Sequence, residues 1–337
     1  MAAHATLISI LIPFRNATPY LVECLNSIRA QTDSHWQVIA IDDHSTDRSA
    51  EIVAEFAKND ARIHLFANSG CGIIAALRTA LANSSGALIT RMDADDVMLP
   101  TKLAALKNIL IQNGRGTVAT GLVQYFRDPE LGTGYQRYER WLNGIHQNGT
   151  GYQQIYKECV LPSPCWMLWR DDLEKVGAFD SDVYPEDYDL CFRLYQNKIT
   201  ITPALEVLHR WRDYPERTSR TDPRLSDQSF MELKLNRFLE LELKPSEKIT
   251  IWGGAERGKN LAKILLAKGI DFNWVCDNPK KEGQTIYGKK IQSYKTLTDP
   301  HNSKVIVVVV QDGAAAKITA HLHAHGFVEY KNYYYFC

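Results

Sequence analysis

Short apolar runs alternate with longer segments of helical periodicity along the first hundred residues. The apolar runs cover residues 7–12, 37–41, 63–66 and 87–92, and the helix-period segments cover residues 19–31, 47–58 and 72–83. Such alternation predicts βαβ units and a parallel sheet. In sheets of this kind the ligand site lies at the carboxyl ends of the strands, so the polar residues that follow each apolar run are the informative ones.

The middle of the chain continues the pattern with one interruption. It predicts helices over residues 99–112 and 171–176 and from Glu186 onward, and strands over residues 117–126, 165–169 and 200–208. Residues 127–152 are rich in glycine and aromatic side chains. We interpret that stretch as a long loop, of the length usually found in functional flaps and acceptor surfaces.

A second α/β pattern follows the segment Lys244-Pro245-Ser246, which is typical of a linker. Strands are expected at residues 249–252 and 272–276, helices at 256–268 and 313–325, and the valine-rich run 304–310 is typical of a central parallel strand buried on both faces. The predicted division is therefore a catalytic domain over residues 1–224, a connecting helix and linker over 225–247, and a Rossmann-like domain over 248–337. Two domains agree with a length of 337 residues.

Composition limits the expected cellular compartment and the classes of binding partner. Lys plus Arg and Asp plus Glu both number 39, so net charge supplies no general attraction to nucleic acid or to an anionic membrane. The seven cysteines are scattered and never form a CxxC pair, which is typical of reduced thiols. The early apolar run is too short for a signal sequence or a membrane span. We therefore expect a cytoplasmic protein that does not bind nucleic acid.

Carboxylates cluster where the fourth apolar run ends, in Arg91-Met92-Asp93-Ala94-Asp95-Asp96. Asp93 and Asp95, spaced two apart at a strand end, can both reach one divalent cation, Mn²⁺ or Mg²⁺, which would bridge the diphosphate of a bound nucleotide. An acidic turn that caps the next helix is the alternative interpretation. Taken alone, this run does not decide between them.

Two earlier motifs favour the metal interpretation. Pro13-Phe14-Arg15-Asn16 follows the first apolar run, and Asp42-Asp43-His44-Ser45-Thr46-Asp47 follows the second. With the acidic run, they resemble in type and order the motifs of the family 2 glycosyltransferases, across roughly residues 6–210. The resemblance implies the GT-A nucleotide-diphospho-sugar transferase fold, an α/β fold, for the first domain.

The same resemblance implies a donor site. Pro13 and Phe14 would shape the nucleoside pocket, Asp42 would hydrogen-bond the base, and Asp93 and Asp95 would hold the metal and the sugar diphosphate. The complete set of expected donor-binding residues is Pro13, Phe14, Asn16, Asp42, Asp43, Arg91, Asp93, His209, Arg212 and Arg220. His44 departs from the glycine common at its position. For Ser45, Thr46 and Asp47 we favour capping of the next helix over donor contact.

The acceptor side is expected at Tyr184-Pro185-Glu186-Asp187-Tyr188-Asp189, which resembles the family segment whose helix-start carboxylate deprotonates the acceptor hydroxyl. Inversion at an anomeric carbon needs one base on the acceptor side and charge neutralisation on the leaving-group side. Asp187 is the expected base and Glu186 the second catalytic carboxylate. The alternative is a favourable charge at a helix N-terminus, which is our interpretation of Asp189.

An arginine-rich run over residues 209–224 follows the last strand of this domain. It stands where the family often has a His or Arg and a Ser near the diphosphate. A mobile basic segment could close over the donor and contact its phosphates. A solvated surface loop is the alternative.

In the second domain, Gly253, Gly254 and Gly258 resemble the dinucleotide-binding GxGxxG pattern, but Ala255 replaces the middle glycine that lets backbone approach a pyrophosphate. We therefore expect no essential dinucleotide, and a role in packing, homo-oligomer formation or acceptor placement.

The resulting expectation is an inverting, metal-dependent glycosyltransferase. It would use a nucleotide-diphosphate sugar and a glycan or lipid-linked acceptor, in bacterial surface polysaccharide or lipopolysaccharide synthesis. A peripheral location at the inner face of the membrane is compatible with a lipid-linked acceptor. A nucleotidyltransferase and an NAD-dependent oxidoreductase that uses the second domain remain open as alternatives. The first normally needs a Gly-rich basic loop after its first strand, which Pro13-Phe14-Arg15-Asn16 does not provide.

Overall fold

The computed structural model describes residues 6–127, 134–311 and 313–337. These residues form two compact units. The first contains the described residues up to Tyr152 together with Cys159–Asp222, and the second contains Gln153–Glu158 and Pro223–Cys337. The helix that the sequence assigned to a connector therefore belongs to the second unit. None of the described helices is long and apolar enough to cross a membrane.

The first unit is built on a mixed sheet. Its strands are β1 (Ile8–Phe14), β2 (Trp36–Asp42), β3 (Ile63–Ala67), β4 (Leu88–Arg91), β5 (Val97–Met98), β6 (Thr117–Arg127), β7 (Trp166–Trp169) and β8 (Thr200–Asp213). Its helices are α1 (Leu21–Arg29), α2 (Ser49–Asn59), α3 (Ile73–Ala82), α4 (Lys102–Asn113), α5 (Gly134–Gln147), α6 (Arg170–Lys175), α7 (Glu186–Gln196) and α8 (Thr218–Thr221). The strand order is β3-β2-β1-β4-β7-β6-β8-β5.

The predicted parallel sheet is correct for β1 to β4, the strands from whose segment it was predicted, and β6 and β8 also pair in parallel. Strands β1, β2, β3 and β4 pair in parallel, whereas β7 runs antiparallel to β4 and to β6, and β5 runs antiparallel to β8. The predicted α/β class is confirmed. The reversal at β7 has no local sequence signal, because a strand's direction depends on where the preceding connection returns it to the sheet.

Strand β1 positions the site at the carboxyl edge of the sheet. Ile8, Ile10, Leu11 and Ile12 have no exposed surface, as a central strand covered on both faces requires. Its register places Phe14 beside Asp42 of β2 and Leu11 beside Arg91 of β4. The motifs that follow these three strands therefore lie at one edge.

Two segments differ from the sequence prediction. Much of the stretch predicted as a long loop is the helix α5, which buries Leu142 and Ile145 on one face. Residues 128–133 of that stretch lie outside the described residues. Strand β8 extends to Asp213, because the long strand β6 supplies backbone hydrogen-bond partners along residues 209–213. Five residues predicted to lie in a mobile segment are therefore part of the sheet.

The second unit is a predominantly parallel α/β sheet, as the sequence predicts. Its strands are β9 (Lys248–Trp252), β10 (Phe272–Cys276), β11 (Thr285–Ile286), β12 (Lys289–Ser293), β13 (Ser303–Val307) and β14 (Tyr333–Tyr335), and its helices are α9 (Asp227–Leu241), α10 (Glu256–Ala267) and α11 (Ala314–Ala324). The strand order is β11-β12-β10-β9-β13-β14, with only β11 antiparallel to its neighbour among the described pairs. Val305, Ile306 and Val307 are fully buried, as predicted for a central strand.

Candidate active site

The loops after β1 and β2 hold each other in place. Asn16 Oδ1 accepts a hydrogen bond from the Thr46 N–H at 2.8 Å, and the Asn16 N–H donates to Ser45 Oγ at 3.0 Å. Asp42 Oδ1 accepts from the Ser45 N–H at 3.0 Å. The predicted donor-binding residues Asn16 and Asp42 are thus brought together, with Phe14 paired to Asp42 in the sheet. A ligand at this edge would meet a preformed loop.

Asp43 and His44 have structural contacts in the same region. The buried carboxylate of Asp43 accepts from Asn68 Nδ2 at 2.7 Å and from the Gly72 N–H at 3.0 Å, which ties it to the start of α3. His44 adopts a left-handed backbone with φ of 58°, a conformation that favours glycine. That explains why glycine is common at this position in the resembling family. His44 Nε2 lies 2.8 Å from the Gly70 carbonyl oxygen.

Of the three residues expected to cap the next helix, Asp47 makes the contact. Its Oδ1 accepts from the N–H of Ser49, the first residue of α2, at 3.0 Å, and its Oδ2 accepts from the Thr18 N–H at 3.2 Å. Burial opposes the ionised form, but hydrogen bonds from Ser49 and Thr18 outweigh it and lower the pKa of Asp47 to about 2. Asp47 therefore stabilises the start of α2 as an anion.

Arg91 joins the predicted donor motif to the predicted acceptor motif. Its Nε donates to Asp93 Oδ1 at 2.8 Å and its Nη1 donates to Glu186 Oε1 at 2.9 Å, and only 8% of its side chain is exposed. Burial alone would lower the pKa of Arg91, but Asp93, Glu186 and Asp187 raise it above its usual value. A permanent cation therefore lies between the end of β4 and the first turn of α7.

We expect Arg91→Met to destabilise the fold by about 3–5 kcal/mol, because it leaves the carboxylates of Asp93 and Glu186 poorly solvated and without their cation. Urea unfolding followed by circular dichroism measures the change. Arg48→Met is the matched control, since Arg48 pairs with Glu51 across two well-exposed side chains and such pairs contribute less than about 1 kcal/mol. Equal costs for the two variants would contradict a structural bridge at Arg91.

Asp95 and Asp96 follow Asp93 and are held by residues of β8 and of the segment after it. Asp95 Oδ2 accepts from the Tyr214 hydroxyl at 3.0 Å, and its main-chain oxygen accepts from Arg212 Nε at 2.6 Å. Burial, followed by the charges of Asp96 and Asp93, raises the pKa of Asp95 to about 7. Asp96 has no exposed surface. Burial raises the pKa of Asp96, and the charges of Arg217 and Lys102 and the hydrogen bond from the Arg212 N–H oppose that shift.

The donor atoms at Asp93 and Asp95 fit a hard divalent cation. One oxygen of Asp93 accepts a hydrogen bond from Arg91, and one oxygen of Asp95 accepts from Tyr214. The second oxygen of each carboxylate could bind a cation. Among the described residues no group of three or more His, Cys, Asp or Glu could hold a metal by itself. Mg²⁺ and similar ions commonly bind through one or two carboxylates plus phosphates and water. An ion here would therefore need the diphosphate as a ligand.

Like Arg91, the other three predicted basic residues of the donor site are engaged with protein groups. His209 has no exposed surface, and its Nε2 lies 3.0 Å from Asp96 Oδ2. Arg212 donates to the Asp95 main chain and to Glu23. Arg220 makes two 2.8 Å hydrogen bonds to the carboxylate of Asp213. The structure brings His209 and Arg212 to the acidic turn, and it places Arg220 against the end of β8.

Sequence reasoning missed Arg217. It is 8% exposed, and its Nη1 is buried without a hydrogen-bond partner among the described residues. Its positive charge partly offsets the rise in the pKa of Asp95 and Asp96. Its guanidinium lies 5.2 Å from the Trp211 ring centroid. Five arginines share this part of the sequence, and their spacing does not distinguish the one that the fold buries beside the carboxylates.

Asp187 lies in the first turn of α7 and is half-buried. Burial, followed by the charge of Glu186, raises the pKa of Asp187 to about 7. Asp189 is fully buried and accepts from Arg193 Nε at 2.9 Å, which agrees with a structural role. The helix start therefore presents one carboxylate bound to Arg91, one committed to Arg193, and Asp187 between them.

The chain is similar in sequence to known glycosyltransferases. The family model described as glycosyl transferase family 2 matches residues 9–177. The chain is 32% identical over 216 residues to an uncharacterized glycosyltransferase of Bacillus subtilis, EpsJ, covering 62% of each chain. It is 29% identical over 200 residues to the glycosyltransferase GlyA of Streptococcus pneumoniae, covering 56% of this chain and 28% of the relative. The match thus spans less than two thirds of these relatives.

Two solved structures share the fold. One is S. aureus TarS 1–349 in complex with UDP-GlcNAc, with a TM-score of 0.50 at 18% identity, covering 77% of this chain and 71% of that one. The other is the mannosyltransferase PcManGT of Pyrobaculum calidifontis in complex with GDP-Man and Mn²⁺, with a TM-score of 0.50 at 18% identity and coverage of 70% and 64%. At these identities the likeness concerns the fold.

Proposed function

Because the chain belongs to family 2 of the glycosyltransferases, we propose that it is an inverting enzyme that moves a sugar from a nucleotide-diphosphate donor to a glycan or lipid-linked acceptor. The observation that carries this proposal is the bridge made by Arg91, which joins the Asp93 carboxylate to Glu186 beside Asp187. A metal-binding turn and an acceptor base must lie on either side of one anomeric carbon. The proposed setting is bacterial surface polysaccharide or lipopolysaccharide synthesis.

On the donor side, Pro13, Phe14 and Asp42 would contact the nucleoside at the carboxyl edge of β1 and β2. Asp93 and Asp95 would hold a divalent cation, and that ion when bound would neutralise the charge of the leaving diphosphate. Two structures with this fold contain UDP-GlcNAc, or GDP-Man with Mn²⁺, which supports a donor of this class. Arg217 Nη1, a buried donor without a partner, is proposed to bind a phosphate oxygen.

On the acceptor side, Asp187 would accept the proton of the attacking hydroxyl. The hydroxyl oxygen then bonds to the anomeric carbon as the bond to the diphosphate breaks on the opposite face, which inverts the configuration. A base works best with a pKa near the operating pH, and burial raises the pKa of Asp187 to about 7. Glu186 is less suited, because it is held by the Arg91 cation.

A screen of nucleotide-diphosphate sugars tests the proposal. Thermal shift with and without Mn²⁺ identifies the donor, because a ligand that binds only the folded protein raises its stability. Nuclear magnetic resonance of the product, or of the sugar released by donor hydrolysis, then gives the configuration at the anomeric carbon. Metal-dependent stabilisation by one donor and an inverted product are expected. A product that retains the donor's configuration would contradict the mechanism.

The rate should depend on pH through Asp187. The base must be deprotonated to act, so kcat/KM is expected to be at its maximum above pH 7 and to fall roughly tenfold for each pH unit below about 7. Saturating Mn²⁺ keeps Asp95 ionised and removes that carboxyl from the profile. Measurements from pH 5 to 9 decide the point. A flat profile over this range would remove Asp187 as the base.

For the second unit we propose a role in self-association or acceptor placement without an essential dinucleotide. The glycine turn is packed by the protein itself: a Cβ at Gly253 would lie 2.9 Å from Val308 Cγ2, and Lys281 Nζ donates to the Gly254 carbonyl oxygen at 2.5 Å. Saturating NAD is therefore expected to leave the thermal unfolding midpoint unchanged. Purified protein that carries stoichiometric NAD needed for activity would contradict this.

A further inference from the structure

Three ionisable side chains without exposed surface form a hydrogen-bonded chain beside the Asp93–Asp95 turn. Lys102 is the first residue of α4, His209 lies in β8, and Asp96 directly follows Asp95. Lys102 Nζ lies 3.2 Å from His209 Nδ1, and His209 Nε2 lies 3.0 Å from Asp96 Oδ2. Burying a lysine costs free energy, so its contacts here call for an explanation beyond packing.

The proton positions follow from the chemistry of the three groups. Burial lowers the pKa of Lys102, but nearby Asp96 and Asp93 oppose that shift and favour the ammonium form. As an ammonium group, which has donors and no acceptor, Lys102 donates to His209 Nδ1 and to the Pro164 carbonyl oxygen at 2.5 Å. A neutral imidazole that accepts at Nδ1 carries its hydrogen on Nε2. His209 then donates to Asp96 Oδ2. Lys102 thus selects the tautomer that supplies Asp96 with a hydrogen-bond donor.

Asp96 in turn attaches the acidic turn to β8. Its Oδ1 accepts from the Arg212 N–H at 2.8 Å, so both carboxylate oxygens are used by residues of that strand. The Asp96 N–H donates to the Asp93 carbonyl oxygen at 3.2 Å, which closes the turn. Asp96 is thereby kept from a cation, and the oxygens of Asp93 and Asp95 remain the ones that a metal would meet.

We infer that Lys102 is a positioning residue of the donor site, which acts through His209 and Asp96 to hold the Asp93–Asp95 turn in its metal-binding arrangement. The inference rests on the proposed function, because it assumes that the turn binds a metal–diphosphate. Partners that orient metal ligands typically contribute about 10- to 100-fold to metal affinity. A lysine that served only the fold would affect stability alone.

Lys107 offers the matched control. It lies on the same helix, is 3% exposed, and donates to Asp33 Oδ2 at 2.7 Å, outside the chain of contacts to Asp96. Lys102→Met and Lys107→Met are compared in the full-length protein. Calorimetry with UDP and with GDP, each in Mn²⁺, measures nucleotide affinity, and urea unfolding measures stability. We expect Lys102→Met to raise the dissociation constant at least about tenfold and Lys107→Met to leave it within about twofold.

The tautomer of His209 gives a readout that fold stability does not move. In ¹⁵N spectra of the ring, identified by its loss in His209→Leu, wild type and Lys107→Met should carry hydrogen on Nε2, whereas Lys102→Met should lose that single form. A wild type that binds no nucleotide diphosphate in Mn²⁺, in these titrations or in the donor screen, refutes the proposed donor site itself. An unchanged tautomer in Lys102→Met, or unchanged affinity with a stability loss equal to that of Lys107→Met, overturns the inference.

A second pair of variants covers the case in which Lys102→Met does not fold. The amide of His209→Gln can donate to Asp96 and accept from Lys102, whereas His209→Leu can do neither. We expect nucleotide affinity in Mn²⁺ within about threefold of wild type for His209→Gln and at least about tenfold weaker for His209→Leu. Equal affinities for the two variants would show that the chain of contacts does not position the turn.

Discussion

Asp187→Asn is expected to abolish sugar transfer while leaving donor binding intact. The amide has the size of the carboxylate but cannot take the proton of the acceptor hydroxyl, so the loss should reach at least about 100-fold in kcat. Donor affinity should be preserved, because Asp187 Oδ1 accepts from the Tyr188 N–H of its own helix, while Arg91 bonds to Asp93 and Glu186. The raised pKa of Asp187, about 7, suits a carboxylate that takes up a proton during turnover.

Transfer and donor hydrolysis measured in the same preparations separate the two steps. Asp182→Asn is the control, since Asp182 is an exposed carboxylate a few residues earlier that pairs with Arg78. It should leave both rates unchanged. Near-normal transfer by Asp187→Asn would move the base to Glu186 or Asp189, and Glu186→Gln would then be the variant to measure.

Strand-end motifs could be recognised in the sequence because their spacing is local. The apolar runs before Pro13, Asp42 and Arg91 are each followed directly by the residues that now lie at one edge of the sheet. The ion pair from Arg91 to Glu186 could not be predicted, because 95 positions separate the two residues and no local pattern records which charges meet. The helix α5 was missed because its glycines and aromatic residues hid the spacing of Leu142 and Ile145.

The arginine-rich run shows the same limit. Charge and position predicted a mobile segment, but residues 209–213 complete β8 and bury His209, while Arg217 is buried beside the acidic turn. Residues 209–213 differ from the residues that follow them in that they pair with β6. The arginines in this run predicted phosphate binding. Only the folded structure shows that Arg217 is the one with a buried nitrogen that lacks a hydrogen-bond partner among the described residues.

The limits of the second unit were also beyond sequence reasoning. Residues Gln153–Glu158 belong to it although they lie far upstream, because Tyr156 stacks on Phe336 with ring centroids 5.4 Å apart. Phe238 of α9 packs edge-on against Tyr334 at 5.1 Å. A chain cut near Lys244, at the predicted linker, would remove Tyr334 and Phe336 and leave Tyr156 and Phe238 uncovered. Point variants in the full-length chain are therefore the sounder test of each site.

Asp95→Asn is expected to abolish metal-dependent nucleotide binding. The substitution keeps the size of the side chain and a carbonyl oxygen for the Tyr214 hydroxyl, and it removes the negative charge that a cation needs. Only Asp93 would remain as an anionic ligand, so the affinity for UDP or GDP in Mn²⁺ should fall by more than the roughly 10- to 100-fold typical of partners that merely orient metal ligands. Calorimetry with each nucleotide measures the change.

The same titration in EDTA provides the decisive contrast. Without a cation, Asp93 and Asp95 repel the diphosphate, and Asp95→Asn removes one of these charges. The variant should therefore bind nucleotide in EDTA at least as well as wild type, although it binds far more weakly in Mn²⁺. A variant whose affinity fell equally in both conditions would owe its loss to a damaged loop. Unchanged affinity in Mn²⁺ would show that Asp95 is not a metal ligand. Asp95 is one of only two proposed anionic ligands, so removing its charge must weaken metal binding if the proposal is correct.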